Sequence, residues 1–115
     1  MLTWSTAYTI IGGMAKTPEA KVKDKVTKVL KEEGAYYFFP VQTGYGRAGI
    51  PDIICCVDGR FLAIECKAGK NKPTKLQERE ISKIYDAGGV AVVVTDQDPE
   101  TYTRAVVKLV RKDST

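Results

Sequence analysis

Two short apolar runs joined by Asp58-Gly59 constrain this chain more than any other stretch. They are Ile50–Val57, reading I-P-D-I-I-C-C-V, and Arg60–Lys67, reading R-F-L-A-I-E-C-K. Asp-Gly between two apolar runs predicts a β-hairpin with a two-residue turn, because such turns need positive φ and twist with the strands. A two-residue turn also sets the register. Val57 faces Arg60, and counting outward puts Asp52 opposite Glu65. Directly facing residues lie roughly 4.5–5.5 Å apart at Cβ, so two carboxylates there repel unless something positive sits between them. Lys67 lies two residues beyond Glu65 and points to the same face. Asp52, Glu65 and Lys67 therefore converge at one end of an apolar hairpin.

Both faces of the hairpin read as buried. One carries Ile53, Cys55, Val57, Leu62, Ile64 and Cys66; the other carries Ile54, Cys56, Phe61 and Ala63 before the charged cluster. Strands apolar on both faces belong inside a layered α/β domain. Carboxylates in such strands need a partner, and a hard divalent cation suits two of them. The alternative is a structural salt bridge from Lys67 to Glu65, with Asp52 in water at the strand end.

The rest of the chain limits what such a site can be. The 115 residues contain no histidine, which excludes mechanisms built on a histidine base, nucleophile or metal ligand. Carboxylates, lysine and a hard metal remain, or a nucleophile that no motif in the sequence marks. The net charge of +4 mildly favours a polyanionic partner. No apolar run is long enough to span a membrane. Three cysteines, two of them adjacent and so pointing to opposite faces, read as buried reduced thiols in a cytosolic protein. Residues 1–13 carry no charge and lack the basic start of a secretory signal. They read as an N-terminal extension or leader, or as an apolar segment that packs on the domain or on a second subunit. Residues 14–115 read as one domain.

Taken in order, Thr17-Pro18-Glu19 predicts a helix start, with Thr17 as N-cap and Pro18 at the first helical position. Val22, Val26, Val29 and Leu30 form its core stripe and Gly34 its stop. Glu19 lies on the stripe's line. It either complements the helix dipole or supplies a third acid to the hairpin site. Ala35–Val41 reads as an aromatic strand that Pro40 pushes to a sheet edge or whose regular pairing it ends, most of its rings being expected in the core, with exposed Tyr36 or Phe38 able to stack on bases. Gln42–Gly49 is a glycine-rich loop in which Tyr45 and Arg47 are candidate phosphate contacts; an ordinary connection is the alternative. Lys70, Lys72 and Lys75 make the segment after the second hairpin strand basic. Thr74 and Gln77 form a capping-box pattern that opens a second helix, with Leu76, Glu80, Ile84 and Ala87 along one side. Gln77 is either only a cap or also a contact to the site. Gly88-Gly89 ends that helix. Val90–Thr95 follows as a buried strand parallel to the Arg60–Lys67 strand, through a βαβ crossover. Asp98-Pro99 opens a last helix to about Lys112, with Tyr102, Val106, Leu109 and Val110 inward. The predicted order is αβββαβα, an α/β fold with a mixed central sheet flanked by helices.

At this point the chain resembles a known family. The αβββαβα order, P-D on the first hairpin strand and E-x-K on the second resemble the PD-(D/E)xK nuclease superfamily. More narrowly, G-I-P-D-I-I (Gly49–Ile54), A-I-E-C-K-A-G (Ala63–Gly69), Gln77 and A-G-G-V-A-V-V-V (Ala87–Val94) resemble a VRR-NUC domain, the virus-type replication-repair nuclease group. The resemblance spans about residues 15–112 and implies a restriction-endonuclease-like core. It implies that Asp52, Glu65 and the backbone carbonyl of Cys66 hold Mg²⁺ or Mn²⁺, with Glu19 as a further acid, Lys67 as the motif lysine and Gln77 as a site residue. It implies DNA as substrate. Stand-alone members look like homodimeric Holliday-junction resolvases from bacterial or phage-infected cells, which implies a branched-DNA endonuclease acting in the cytoplasm. Arg47, Tyr45, Lys70, Lys72 and Lys75 would hold the DNA backbone. Three other readings stay open at this stage: a non-catalytic nucleic-acid-binding domain, a sequence-specific or flap-type nuclease, and an interaction module using residues 1–13.

Overall fold

A computed structural model of the protein describes residues 16–41 and 46–113. The elements are helix α1 (Pro18–Glu32), strands β1 (Tyr36–Phe38), β2 (Ile53–Val57) and β3 (Arg60–Cys66), helix α2 (Lys75–Asp86), strand β4 (Val90–Val94) and helix α3 (Pro99–Asp113). The αβββαβα order is as predicted.

Local chemistry sets the ends of these elements. The Thr17 hydroxyl accepts from the Ala20 N–H at 3.1 Å, and Pro18 starts α1. Gly34, at φ +71°, lets the chain leave α1 in a conformation other residues avoid. Asp58 (φ 49°) and Gly59 (φ 81°) form the two-residue turn with both central residues at positive φ. The resulting register is Val57 opposite Arg60 through Ile53 opposite Ile64, as the turn length dictates.

The sheet order is β1-β2-β3-β4, antiparallel except for the parallel β3–β4 pair. Helices α1 and α3 cover one face. There Val22, Val26 and Leu30 meet Ile53, Cys55, Val57, Leu62, Ile64, Cys66 and the Val106–Val107–Val110 side of α3. This layer is the core. Helix α2 lies on the other face beside β4, where a Cβ on Gly89 would stand 3.0 Å from both Ile84 and Phe61.

Several expectations fail, the first of them because a single helix does not cover the second face. The hairpin is not apolar-and-buried on both sides, since Cys56 is exposed and Phe61 is 43% exposed. Cys56 is therefore a free, exposed thiol, whereas Cys55 and Cys66 are free and buried. On the edge strand β1, Tyr36 is 70% exposed, Phe38 and Phe39 are 46% exposed, and of these rings only Tyr37 packs against the core. Strand β1 is an edge strand whose pairing stops at Phe38, before Pro40, as the proline predicts, and β2 begins at Ile53 rather than Ile50. Pro40 and Pro51 have no N–H to donate to a ladder. Strand β4 is an edge strand, buried fully only at Ala91 and Val94. In α3 the buried line is Thr103, Val106, Val107 and Val110, with Tyr102 (45%) and Leu109 (61%) exposed. In α2 the apolar side is largely open, and the buried side chain is Glu80.

Candidate active site

The site is built where β2 begins and β3 ends. Ile53 pairs with Ile64 in the last antiparallel rung, so Asp52 lies one residue before it and Glu65 one residue after. The Asp52 carboxylate accepts a hydrogen bond from the Cys66 N–H at 2.8 Å. This ties the incoming strand to the outgoing one beyond their regular ladder. The Lys67 N–H donates to the Val94 carbonyl at 3.0 Å, extending the β3–β4 pairing past Cys66. Glu65 and Lys67 are both buried, at 3% and 8% exposure.

The electrostatics are those of a crowded pair. Burial is the largest influence on Glu65 and pushes its carboxyl up to about 8. Its hydrogen bond to Asp52 and the Asp52 charge push the same way, Lys67 opposes them, and Glu19 adds a little more negative field. Glu65 Oε2 is buried without a hydrogen-bond partner. A buried acceptor with nothing to accept from costs about 1–3 kcal/mol. Lys67 does not hydrogen-bond this oxygen. A hard cation would fill the orphan's need and offset the repulsion between Asp52 and Glu65, so the donor set fits Mg²⁺ or Mn²⁺. Among the described residues, no three acidic or cysteine side chains cluster around one point. The donors here are two carboxylates and the local backbone. Burial also pushes the Cys55 and Cys66 thiols up to about 12, which leaves them unreactive.

The remaining candidates are dispersed around this pair. Glu19, on the first turn of α1, lies in a cavity of roughly 480 Å³ with Gly69, Asn71 and Asp96, and accepts from the Asn71 amide at 3.5 Å. Gln77 completes the capping box: its Oε1 accepts from the Thr74 N–H at 2.8 Å, and its N–H donates to the Thr74 hydroxyl at 3.2 Å. Lys70, Lys72 and Lys75 are exposed around the turn between β3 and α2. Arg47 is exposed, and its Nε lies 3.1 Å from Glu80. Tyr45 and residues 1–13 lie outside the described residues.

One residue of this neighbourhood escapes a reading of the sequence. Asp96, just after β4, accepts from the Gly69 N–H at 3.1 Å and so holds the start of the lysine-rich turn. No local pattern marks it. Glu80 carries a signal, an acid on the line of Leu76 and Ile84.

A four-stranded mixed sheet between helices, with P-D and E-x-K at adjoining strand ends, is the arrangement that the resemblance to the PD-(D/E)xK nucleases implies. The sequence profile of the family described as archaeal Holliday junction resolvase (Hjc) matches residues 19–96. The chain belongs to that family. Among curated proteins, "Putative nuclease p44" of Acyrthosiphon pisum secondary endosymbiont phage 1 is 34% identical over 85 residues, covering 73% of this chain and 88% of the relative. Among solved structures, one described as a VRR_NUC domain superposes with a TM-score of 0.67 at 21% identity, over 80% of this chain and 96% of the other. A second, described as a VRR_NUC domain protein, gives 0.64 at 20% identity, over 84% and 90%. The fold is that of these domains.

Proposed function

We propose that residues 14–115 form a divalent-metal-dependent endonuclease that cuts branched DNA, with the four-way junction as the preferred substrate, and that the enzyme acts as a homodimer. The observation that carries the catalytic reading is the Asp52–Glu65 pair, with its orphaned Glu65 Oε2. Asp52, Glu65 and the Cys66 carbonyl would hold Mg²⁺ or Mn²⁺, with Glu19 in reserve as an outer acid. The bound metal supplies Lewis acidity to the phosphoryl group and lowers the pKa of water.

The chain's own residues do the rest. Lys67 faces the same side as Glu65 and supplies positive charge where the phosphate becomes more negative. The exposed Lys70, Lys72 and Lys75, together with the glycine-rich loop carrying Tyr45 and Arg47, would bind the DNA backbone, so affinity should fall as salt rises. Gln77 keeps the α2 N-terminus in shape beside that basic turn. The homodimer is supported by the uncovered sheet face, where Tyr36, Phe38, Phe61 and Cys56 form an apolar strip on a 115-residue chain. The membership in a family of Holliday junction resolvases supports the junction as substrate. Two buried free thiols suit a reducing compartment, and we place the enzyme in the cytoplasm of a bacterial or phage-infected cell. No helix among the described residues is long and apolar enough to cross a membrane.

The reading is tested by incubating labelled four-way junction, 5′ flap, linear duplex and single strand with Mg²⁺, Mn²⁺ or EDTA. Metal-dependent, paired cuts in the junction are expected. Binding without cutting under every condition would reduce the protein to a DNA-binding domain.

A further inference from the structure

Glu80 is a charged side chain that the nuclease motif does not use. It sits in α2 at 6% exposure, one turn from Leu76 and one from Ile84. A carboxylate buried that far is costly unless a cation pairs with it. Its cation is Arg47, whose Nε approaches Glu80 Oε1 at 3.1 Å while most of the arginine side chain stays in solvent.

Arg47 belongs to the segment that delivers Asp52 to the site. Two residues on, the same segment crosses the first turn of α2 so closely that a Cβ on Gly49 would stand 2.5 Å from the Leu76 carbonyl oxygen and 2.9 Å from the Gln77 nitrogen. Gly49 also sits at φ +83°. The chain is thus held on α2 at two points, by the Arg47–Glu80 pair and by the close pass at Gly49. Buried Pro51 and then Asp52 follow directly. Helix α2 provides neither Asp52 nor Glu65, yet the segment that leads to the first of them rests on it.

We propose that Arg47 and Glu80 are a positioning pair for Asp52, fixing its carboxylate against Glu65 so that the two can bind one divalent cation. This rests on the metal-dependent reading above. It assigns Arg47 a role through Asp52 in addition to the phosphate contact proposed above. A positioning role predicts lost metal affinity, repaired when the pair is rebuilt with its charges exchanged. A phosphate contact predicts lost DNA affinity and a shallower salt dependence, which exchanging the charges cannot repair.

The test measures Mn²⁺ binding to the full chain without DNA, by titration calorimetry, for wild type, Arg47→Ala, Glu80→Gln and the exchanged double variant R47E/E80R. Circular dichroism and thermal melts accompany each one. Arg47→Ala and Glu80→Gln should each weaken Mn²⁺ binding by about 10-fold, the lower end for residues that orient a metal ligand. The exchanged pair should recover most of that loss. Glu80→Gln keeps the shape of the buried side chain, so it reads out even if the double variant does not fold. Arg47→Ala and Glu80→Gln that bind Mn²⁺ like wild type would overturn the proposal. So would an Arg47→Ala that loses only DNA affinity. Wild type that binds no Mn²⁺ at all would instead overturn the metal-dependent reading, and this proposal with it.

Discussion

The Cys66 N–H donates to the Asp52 carboxylate at 2.8 Å, although the regular β2–β3 ladder has already ended at Ile53 and Ile64. This bond uses the aspartate as a substitute for the next backbone acceptor, and it holds Asp52 beside Glu65. Burial first, and then the neighbouring Asp52, raises Glu65 to about 8, and one of its oxygens is left unpartnered. The site is therefore held together by the fold and strained by its own charge.

That strain predicts a dependence of stability on pH. Glu65 is raised from an ordinary 4.5 to about 8, so the folded state favours its protonated form. Its contribution to stability is fully present below about pH 4.5 and is lost as pH rises through about 8. Urea melts in EDTA should show stability falling across this window. Glu65→Gln should flatten the fall. Saturating Mn²⁺ should raise stability most at the alkaline end, where the carboxylates are ionised and can bind it.

The orphaned hydroxyl of Thr103 predicts a stabilising substitution. Thr103 is fully buried in α3, and its Oγ1 has no partner. Valine has nearly the same shape and no group to satisfy. Thr103→Val should therefore raise unfolding free energy by about 1 kcal/mol or more, read from urea midpoints at constant slope. An unchanged or lower midpoint would mean that the hydroxyl has a partner in solution.

The positive φ and close pass at Gly49 predict a costly alanine. Gly49→Ala places a left-handed conformation on a non-glycine residue, at about 1–2 kcal/mol, and drives a methyl into the α2 backbone. A loss of stability of at least that size is expected, together with weaker Mn²⁺ binding. Gly59→Ala meets nothing within 4 Å and should cost only the conformational part.

The exposed strip on the sheet predicts its own disruption. If the proposed homodimer uses this face, Tyr36→Lys and Phe38→Lys should convert it to a monomer in analytical ultracentrifugation while leaving the monomer folded, because neither ring contributes to the core. Dimers unaffected by both changes would place the interface elsewhere.

Much of this was legible in the chain before any coordinates. The turn at Asp58-Gly59 sets a register, and a register is arithmetic, so Asp52 and Glu65 could be brought together from letters alone. Helix ends were legible for the same reason: Thr17, Pro18, Thr74 and Gln77 act on their immediate neighbours. Exposure was not legible, because it depends on which helix covers which strip of sheet. Phe38 and Cys56 look like core residues until only α2 is found on their face. The phase of α3 is not legible either, because Tyr102 and Leu109 are more apolar than Thr103, yet Thr103 falls on the buried line of Val106 and Val110. The Arg47–Glu80 pair lay out of reach because it joins distant segments through a loop whose path no local pattern sets.

The most direct test of the central claim is cleavage of a labelled four-way junction in Mn²⁺ by wild type, Asp52→Ala and Lys67→Ala. The account predicts paired cuts by wild type that EDTA abolishes. It predicts losses on the order of 10³-fold or more in each variant, because residues acting as one unit fail together. Each variant should still bind the junction and keep its fold. Cutting that survives in Asp52→Ala, or that proceeds in EDTA, would contradict it.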